Sequence, residues 1–164
     1  MRKKRVYRKH YLPDPVYQRV DVGRFINAIM KNGKKTVAER AFYRALDIIK
    51  AKTSSDPLAV FDKAIENVSP AVELASRRVG GANYQIPIEV RLDRRFILAV
   101  RWILNAARSK KGMPIASRLA EELMAASDNA GAAIKKKADT HKMAEANRAF
   151  AHFARFTKKK KVSF

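Results

Sequence analysis

The sequence predicts a mainly α-helical protein: a bundle of about six helices with one protruding two-stranded β-hairpin and a basic arm at each end. Two patterns and a charge distribution predict it. Apolar residues recur at three- and four-residue spacing through most of the chain. Alternation of period two is confined to residues 72–91. Lysine and arginine crowd both termini. The expected division is an N-terminal arm over 1–11, a helical binding domain over 12–156 with the hairpin at 72–91, and a C-terminal tail over 157–164.

The first eleven residues, MRKKRVYRKHY, carry Arg2, Lys3, Lys4, Arg5, Arg8 and Lys9 with no acid among them. Val6, Tyr7, His10 and Tyr11 are interleaved, so the arm reads as a segment that orders on a polyanion, its aromatics able to stack on bases. Leu12-Pro13-Asp14-Pro15 is a turn that ends it. Val22, Phe25, Ile26, Ile29 and Met30 fall at helical spacing, with Asp21 as an expected N-cap and Gly33 as a stop. Lys34 and Lys35 follow in a basic loop. The glycine and hydroxyl spacing of a phosphate-binding loop is missing there. A second helix from about Thr36 to Lys52 faces inward with Ala38, Ala41, Phe42, Ala45 and Ile49. Asp56-Pro57 is a strong start signal for a third, with Leu58, Phe61, Ala64, Ile65 and Val68 on its apolar face.

The hairpin comes next. Val72, Leu74 and Ser76 alternate with Glu73, Ala75 and Arg77, and Ile86, Ile88 and Val90 alternate with Pro87, Glu89 and Arg91. A Gly80-Gly81-Ala82-Asn83 break separates the runs. Pro87 cannot donate to a ladder, so its strand is an edge. Two strands alone are marginal in water, and Arg77 and Arg78 beside the turn suggest an anionic partner that orders them.

Asp93 is expected to cap a fourth helix reaching about Ser109, with Phe96, Val100, Ile103, Leu104 and Ala107 toward the core. Arg94, Arg101 and Arg108 are seven residues apart and form one basic stripe on that helix. Arg95, Lys110 and Lys111 broaden it, and Trp102 reads as packing. Pro114 opens a fifth helix with Ile115, Leu119, Leu123 and Met124 as its stripe and Glu121-Glu122 on a solvated face. After the Asp128–Gly131 loop, a last helix carries Lys135, Lys136 and Lys137 near its start. Cations there oppose the macrodipole, which suggests that phosphate meets the helix from outside. Met143, Ala146, Phe150 and Phe153 are expected to pack, and Lys158–Lys161 form a second basic arm.

Composition bounds the chemistry. A net charge of +21 over 164 residues favours nucleic acid as partner. There is no cysteine, hence no disulfide and no thiolate chemistry. No apolar run approaches the roughly 20 residues that cross a bilayer. His141 and His152, eleven apart on one predicted helix, are too distant to share a metal. Asp139 beside His141 lacks a nucleophile, and no nuclease-like carboxylate cluster is present. The sequence therefore predicts no enzyme activity, no metal, no cofactor and no small-molecule substrate.

Three long strings carry a family resemblance: SPAVELASRRVGGANYQIPIEV in the hairpin, FINAIMKNGKKTVAERAFY at 25–43 and GAAIKKKADTHKMAEANRAFAHFA at 131–154. With the linking helices they make the chain resemble the bacterial small-subunit ribosomal protein seven family from about Arg2 to Phe156. Ala138 and Phe153-Ala154-Arg155 depart from the usual pattern and leave the contacts of the last helix and tail open. The resemblance implies a bundle of six helices with a protruding ribbon. It implies direct binding to 16S rRNA, nucleation of the subunit head (the 3′ major domain), and a place near the exit-site tRNA and the mRNA path. It implies neighbouring small-subunit proteins as partners and a location on the ribosome, in the cytoplasm or an organelle. Some members also repress their own mRNA. By matching position, the rRNA-binding surface implied is the N-terminal arm, Lys34, Lys35, Arg77, Arg78, Arg91, Arg94, Arg95 and Lys135–Lys137. The hairpin tip, Gly80, Gly81, Ala82, Asn83 and Tyr84, is expected near tRNA and mRNA. Two alternatives remain: a DNA-compacting architectural protein, which also combines a basic helical body with a ribbon, and a nucleic-acid enzyme, whose metal-dependent cleavage no carboxylate cluster here supports.

Overall fold

Phe25, Phe42 and Phe61 converge with ring centroids 5.2–5.7 Å apart, two of the three pairs edge to face. They come from the first three helices, and their mutual burial fixes how those helices cross. The computed structural model describes residues 11–79 and 81–157. The expectations for Arg2, Lys3, Lys4, Arg5, Arg8, Lys9, Gly80 and Lys158–Lys161 lie outside the described residues.

The described elements are α1 (Val20–Ile29), α2 (Lys35–Thr53), α3 (Pro57–Val68), β1 (Val72–Val79), β2 (Ala82–Glu89), α4 (Leu92–Ser109), α5 (Ile115–Ser127), α6 (Gly131–Ala146) and a 3-10 helix (Arg148–Thr157). The predicted class, mainly helical with one antiparallel hairpin, is the class observed. The hub is α5, which packs on α2, α3 and α4 and touches α6. Ala116, Leu119, Ala120, Leu123 and Ala126 are all buried along it, and its alanines let neighbouring backbones come close.

Helix starts differ from expectation in instructive ways. Asp56 does cap α3, accepting the Leu58 N–H at 3.1 Å. Asp21 does not cap α1. The helix begins two residues earlier, after Arg19, and Asp21 sits in its first turn, bound by the Arg19 guanidinium. Asp93 likewise lies in the first turn of α4, which starts after Arg91. At the far end of α1, Met30 rather than Gly33 follows the last helical residue. Asn32 (φ 52) and Gly33 (φ 72) instead make the left-handed turn into α2.

The hairpin pairs Val72 with Glu89 through Val79 with Ala82. Ala82 and Asn83 therefore belong to β2, not to the break, and Gly81 carries the positive φ of the reversal (φ 93). This register places Leu74 opposite Pro87 and Ala75 opposite Ile86. Paired residues share a face, so the apolar rows of the two strands lie on opposite faces. One face packs on α6 and the 3-10 helix and buries Ile86 to 1% exposure. Tyr84 on that face meets Phe150 and Phe153 at 5.0 and 5.9 Å. These contacts supply the burial that two strands alone lack.

Within α6 the buried residues are Ala133, Thr140 and Ala144. Met143 and Ala146, expected to pack, are exposed; Phe150 and Phe153 do pack, against the hairpin. The helix stops at Ala146, so His141 and His152 lie on different elements. At the break the Asn147 backbone N–H and side-chain amide both donate to the Met143 carbonyl, at 3.1 and 2.8 Å.

Candidate nucleic-acid interface

The chain has a large excess of cations, and the fold sorts them into two groups. Lys34, Arg77, Arg78, Arg91, Arg101, Lys111, Lys135 and Lys136 are exposed. Among the described residues none of them has a side-chain hydrogen bond or an ion pair with the protein. Long charged side chains left free in this way are available to phosphate.

The second group is engaged in holding the fold. Arg94 reaches Glu73 of β1 at 3.2 Å, and Arg95 donates to the Val90 carbonyl at 3.1 Å, so both brace the base of the hairpin against α4. Arg108 donates to the Ala28 and Ile29 carbonyls at 3.4 and 3.1 Å, satisfying the orphan acceptors at the end of α1. Lys35 lies 3.9 Å from Glu39, one turn along α2. Lys137 donates to the Asn67 carbonyl at 2.6 Å. Asn67 in turn donates to the Ala126 and Ser127 carbonyls that end α5. The predicted α4 stripe is thus physically mixed: Arg101 is free, whereas Arg94 and Arg108 each already hold a partner.

The start of α6 corrects one expectation. Glu122 is not on a solvated face; it is 1% exposed. Its carboxylate accepts the Ala133 N–H at 2.9 Å and lies 3.4 Å from the Lys110 ammonium. An internal anion meets the positive end of α6: the Glu122 carboxylate takes the Ala133 amide. Gly131 permits the approach: a Cβ there would lie 2.9 Å from Glu122 Oε1. Lys110 is accordingly spent on Glu122 and Glu121. Lys135 and Lys136 point outward past this filled terminus.

Between α1 and α4 runs a groove of about 420 Å³. Arg101, Asn105 and Arg108 line one wall, and Tyr11, Arg24 and Phe96 the other end. The Arg24 guanidinium lies between two rings, 4.8 Å from Tyr11 and 4.6 Å from Phe96. Sequence reasoning missed Arg24 and Asn105. The only signal was that Arg24 and Ala28 are one turn apart on α1, which says nothing of the α4 residues they face.

His141, set beside Asp139 by the sequence, instead accepts the Ala71 N–H at 3.3 Å, tying α6 to the start of the hairpin. Burial, aided by the nearby Lys137 charge, depresses its pKa below 6.5. Around Arg19, burial raises the pKa of the Asp21 carboxyl. Hydrogen bonds from Arg19 and the Val22 amide more than offset this, so the group sits below the ordinary carboxylate range. Tyr43 donates to buried Asp14 at 2.7 Å, and burial and that bond push its phenol well up. These perturbed groups sit in structural joints rather than in a shared cleft. Among the described residues no group of His, Asp and Glu could hold a metal ion, and no helix is long and apolar enough to cross a membrane.

Comparison with known proteins finds relatives over most of the chain. The family model described as ribosomal protein S7p/S5e matches residues 1–148. The chain is 59% identical over 153 residues to small ribosomal subunit protein uS7 of Thermotoga neapolitana, covering 93% of this chain and 99% of that protein. It is 54% identical over 148 residues to the uS7 of Pelotomaculum thermopropionicum, covering 90% and 95%. With the uS7 of Xanthobacter autotrophicus it shares 51% over 152 residues, covering 93% and 97%.

Proposed function

Because the chain belongs to the ribosomal protein S7p/S5e family, we propose that it binds 16S rRNA directly, nucleates assembly of the small-subunit head and lies near the exit-site tRNA and the mRNA path. The family is a structural constituent of the small ribosomal subunit and not an enzyme family. The observation that carries the reading is the set of exposed cations without protein partners on the hairpin, α4 and the start of α6. A +21 chain folds with these groups held out, where they release counterions from phosphate.

The proposed rRNA surface has two parts. Lys34, Arg77, Arg78, Arg91, Arg101, Lys111, Lys135 and Lys136 act as free phosphate contacts. Arg94, Arg95, Arg108, Lys35, Lys110 and Lys137 flank them and keep the supporting elements in place, with N–H groups left over for RNA. The N-terminal arm adds Arg2, Lys3, Lys4, Arg5, Arg8 and Lys9. The tip from Gly80 to Tyr84 is directed to tRNA and mRNA. Folded RNA is then read through shape, sugar hydroxyls and unstacked bases.

The test is a filter-binding titration across salt. It compares a transcript of the rRNA 3′ major domain with duplex DNA of equal length. Tighter binding to the transcript at every salt concentration is expected. Equal or tighter binding to the duplex overturns the reading in favour of a DNA-compacting protein.

A further inference from the structure

The groove between α1 and α4 has features that phosphate neutralisation does not need. Three guanidinium groups, Arg24, Arg101 and Arg108, line it with two aromatic rings, and among the described residues no carboxylate lines it. The Arg24 guanidinium lies over both the Tyr11 and the Phe96 ring, and among the described residues it has no ion pair. Asn105, exposed on the same wall, presents both donors and an acceptor. A duplex backbone presses phosphates on a convex or flat surface; it does not send a flat apolar body into a concavity. The volume, about 420 Å³, lies in the range of roughly 300–1,000 Å³ found for small-ligand sites.

We propose that this groove receives one unpaired ribonucleotide of the bound RNA. The base lies against the Tyr11–Arg24–Phe96 stack, its edge meets the Asn105 amide, and its phosphate lies by Arg101 and Arg108. Aromatic and guanidinium planes are the surfaces on which unstacked bases settle. The inference rests on the RNA-binding reading above and adds the class of contact: an extruded nucleotide rather than a helix flank. Arg108 keeps its bonds to the end of α1 while its remaining N–H groups face the groove.

The test uses the full chain and the 3′ major-domain transcript, with Phe96→Leu, Asn105→Ala and Arg101→Ala. Phe96→Leu is expected to weaken binding about tenfold at unchanged salt slope, because it removes a stacking face and no charge. Asn105→Ala is expected to weaken it severalfold, again at unchanged slope. Arg101→Ala should lower the slope by about one. In a transcript carrying 4-thiouridine, the crosslinked peptides should contain Tyr11 or Phe96. Asn105 is exposed, so its variant and the crosslink decide the matter even where Phe96→Leu unfolds. Wild-type affinity in Asn105→Ala and folded Phe96→Leu, or crosslinks mapping away from the groove, overturn this inference alone. A wild-type chain that prefers duplex DNA overturns the RNA reading and this inference with it.

Discussion

Glu122 on α5 caps α6 in trans: its buried Oε1 accepts the Ala133 amide at 2.9 Å while Oε2 faces the Lys110 ammonium. Ala130, at the N-cap position, has no side chain to do this. Glu122→Ala leaves a buried amide and the Lys110 charge without their acceptor and should cost about 3 kcal/mol in urea unfolding. Glu122→Gln keeps an acceptor and loses the charge, so its cost should be about half that. Gly131→Ala should be costly too, at least about 1 kcal/mol, because it adds a Cβ at φ 93 against the same carboxylate. Wild-type midpoints for all three variants would mean that α6 does not depend on this cap.

Arg77 and Arg78 separate binding from stability. Both are exposed, and their register partners are Tyr84 and Asn83, on opposite faces of the ribbon. Replacing both with alanine should leave the thermal midpoint unchanged and lower the salt slope of rRNA binding by about two. Arg94→Ala should behave differently. It removes the pair with Glu73 and should cost up to about 1 kcal/mol, the range of a partly exposed ion pair. A wild-type slope in the double variant would remove the hairpin from the RNA surface.

Tyr84 covers more than a turn. Its ring meets Phe150 and Phe153, and the 3-10 helix packs chiefly on β2. Tyr84→Ala should therefore speed amide exchange through residues 148–157 and in β2, with α2 and α5 unaffected. Exchange that rises equally throughout, or nowhere, would show that the C-terminal segment is held by something else.

Sequence pattern reached the helices and the hairpin because both are written in local periodicity. Phe42, Ala45 and Ile49 recur at helical spacing whatever lies opposite. Pairwise choices were not legible. Nothing near Glu122 marks it as buried, since its partners are Ala133 and Lys110, each about eleven or twelve residues away on other elements. The end of the turn was misplaced for a related reason. Ala82 and Asn83 suit a turn as well as a strand, and only the pairing of Val79 with Ala82 decides between them. The site was legible as charge, but not which charges are free. Arg94, Arg101 and Arg108 are equivalent by spacing and differ through Glu73 and the carbonyls ending α1.

His141 makes the joint between α6 and the hairpin sensitive to pH. Only the neutral ring can accept the Ala71 N–H at Nε2. In the unfolded chain the imidazole protonates near its ordinary value of 6.5; in the folded chain burial, and then Lys137, hold it lower. Below 6.5 the unfolded state therefore binds the proton first, and stability falls as pH drops through the window between the two values. Above that window the joint is complete. His141→Gln retains an acceptor for Ala71 and removes the titration. The difference in stability between wild type and this variant, measured by urea unfolding at intervals from pH 7.5 to pH 5, should move against the wild type as pH falls. Comparing the two cancels Asp21, whose depressed pKa acts in a more acid range. The protection of the Ala71 amide, its exchange rate taken relative to the intrinsic rate at each pH, should fall over the same interval in the wild type alone. A difference that stays flat across the interval would show that the ring's protonation does not matter to the joint.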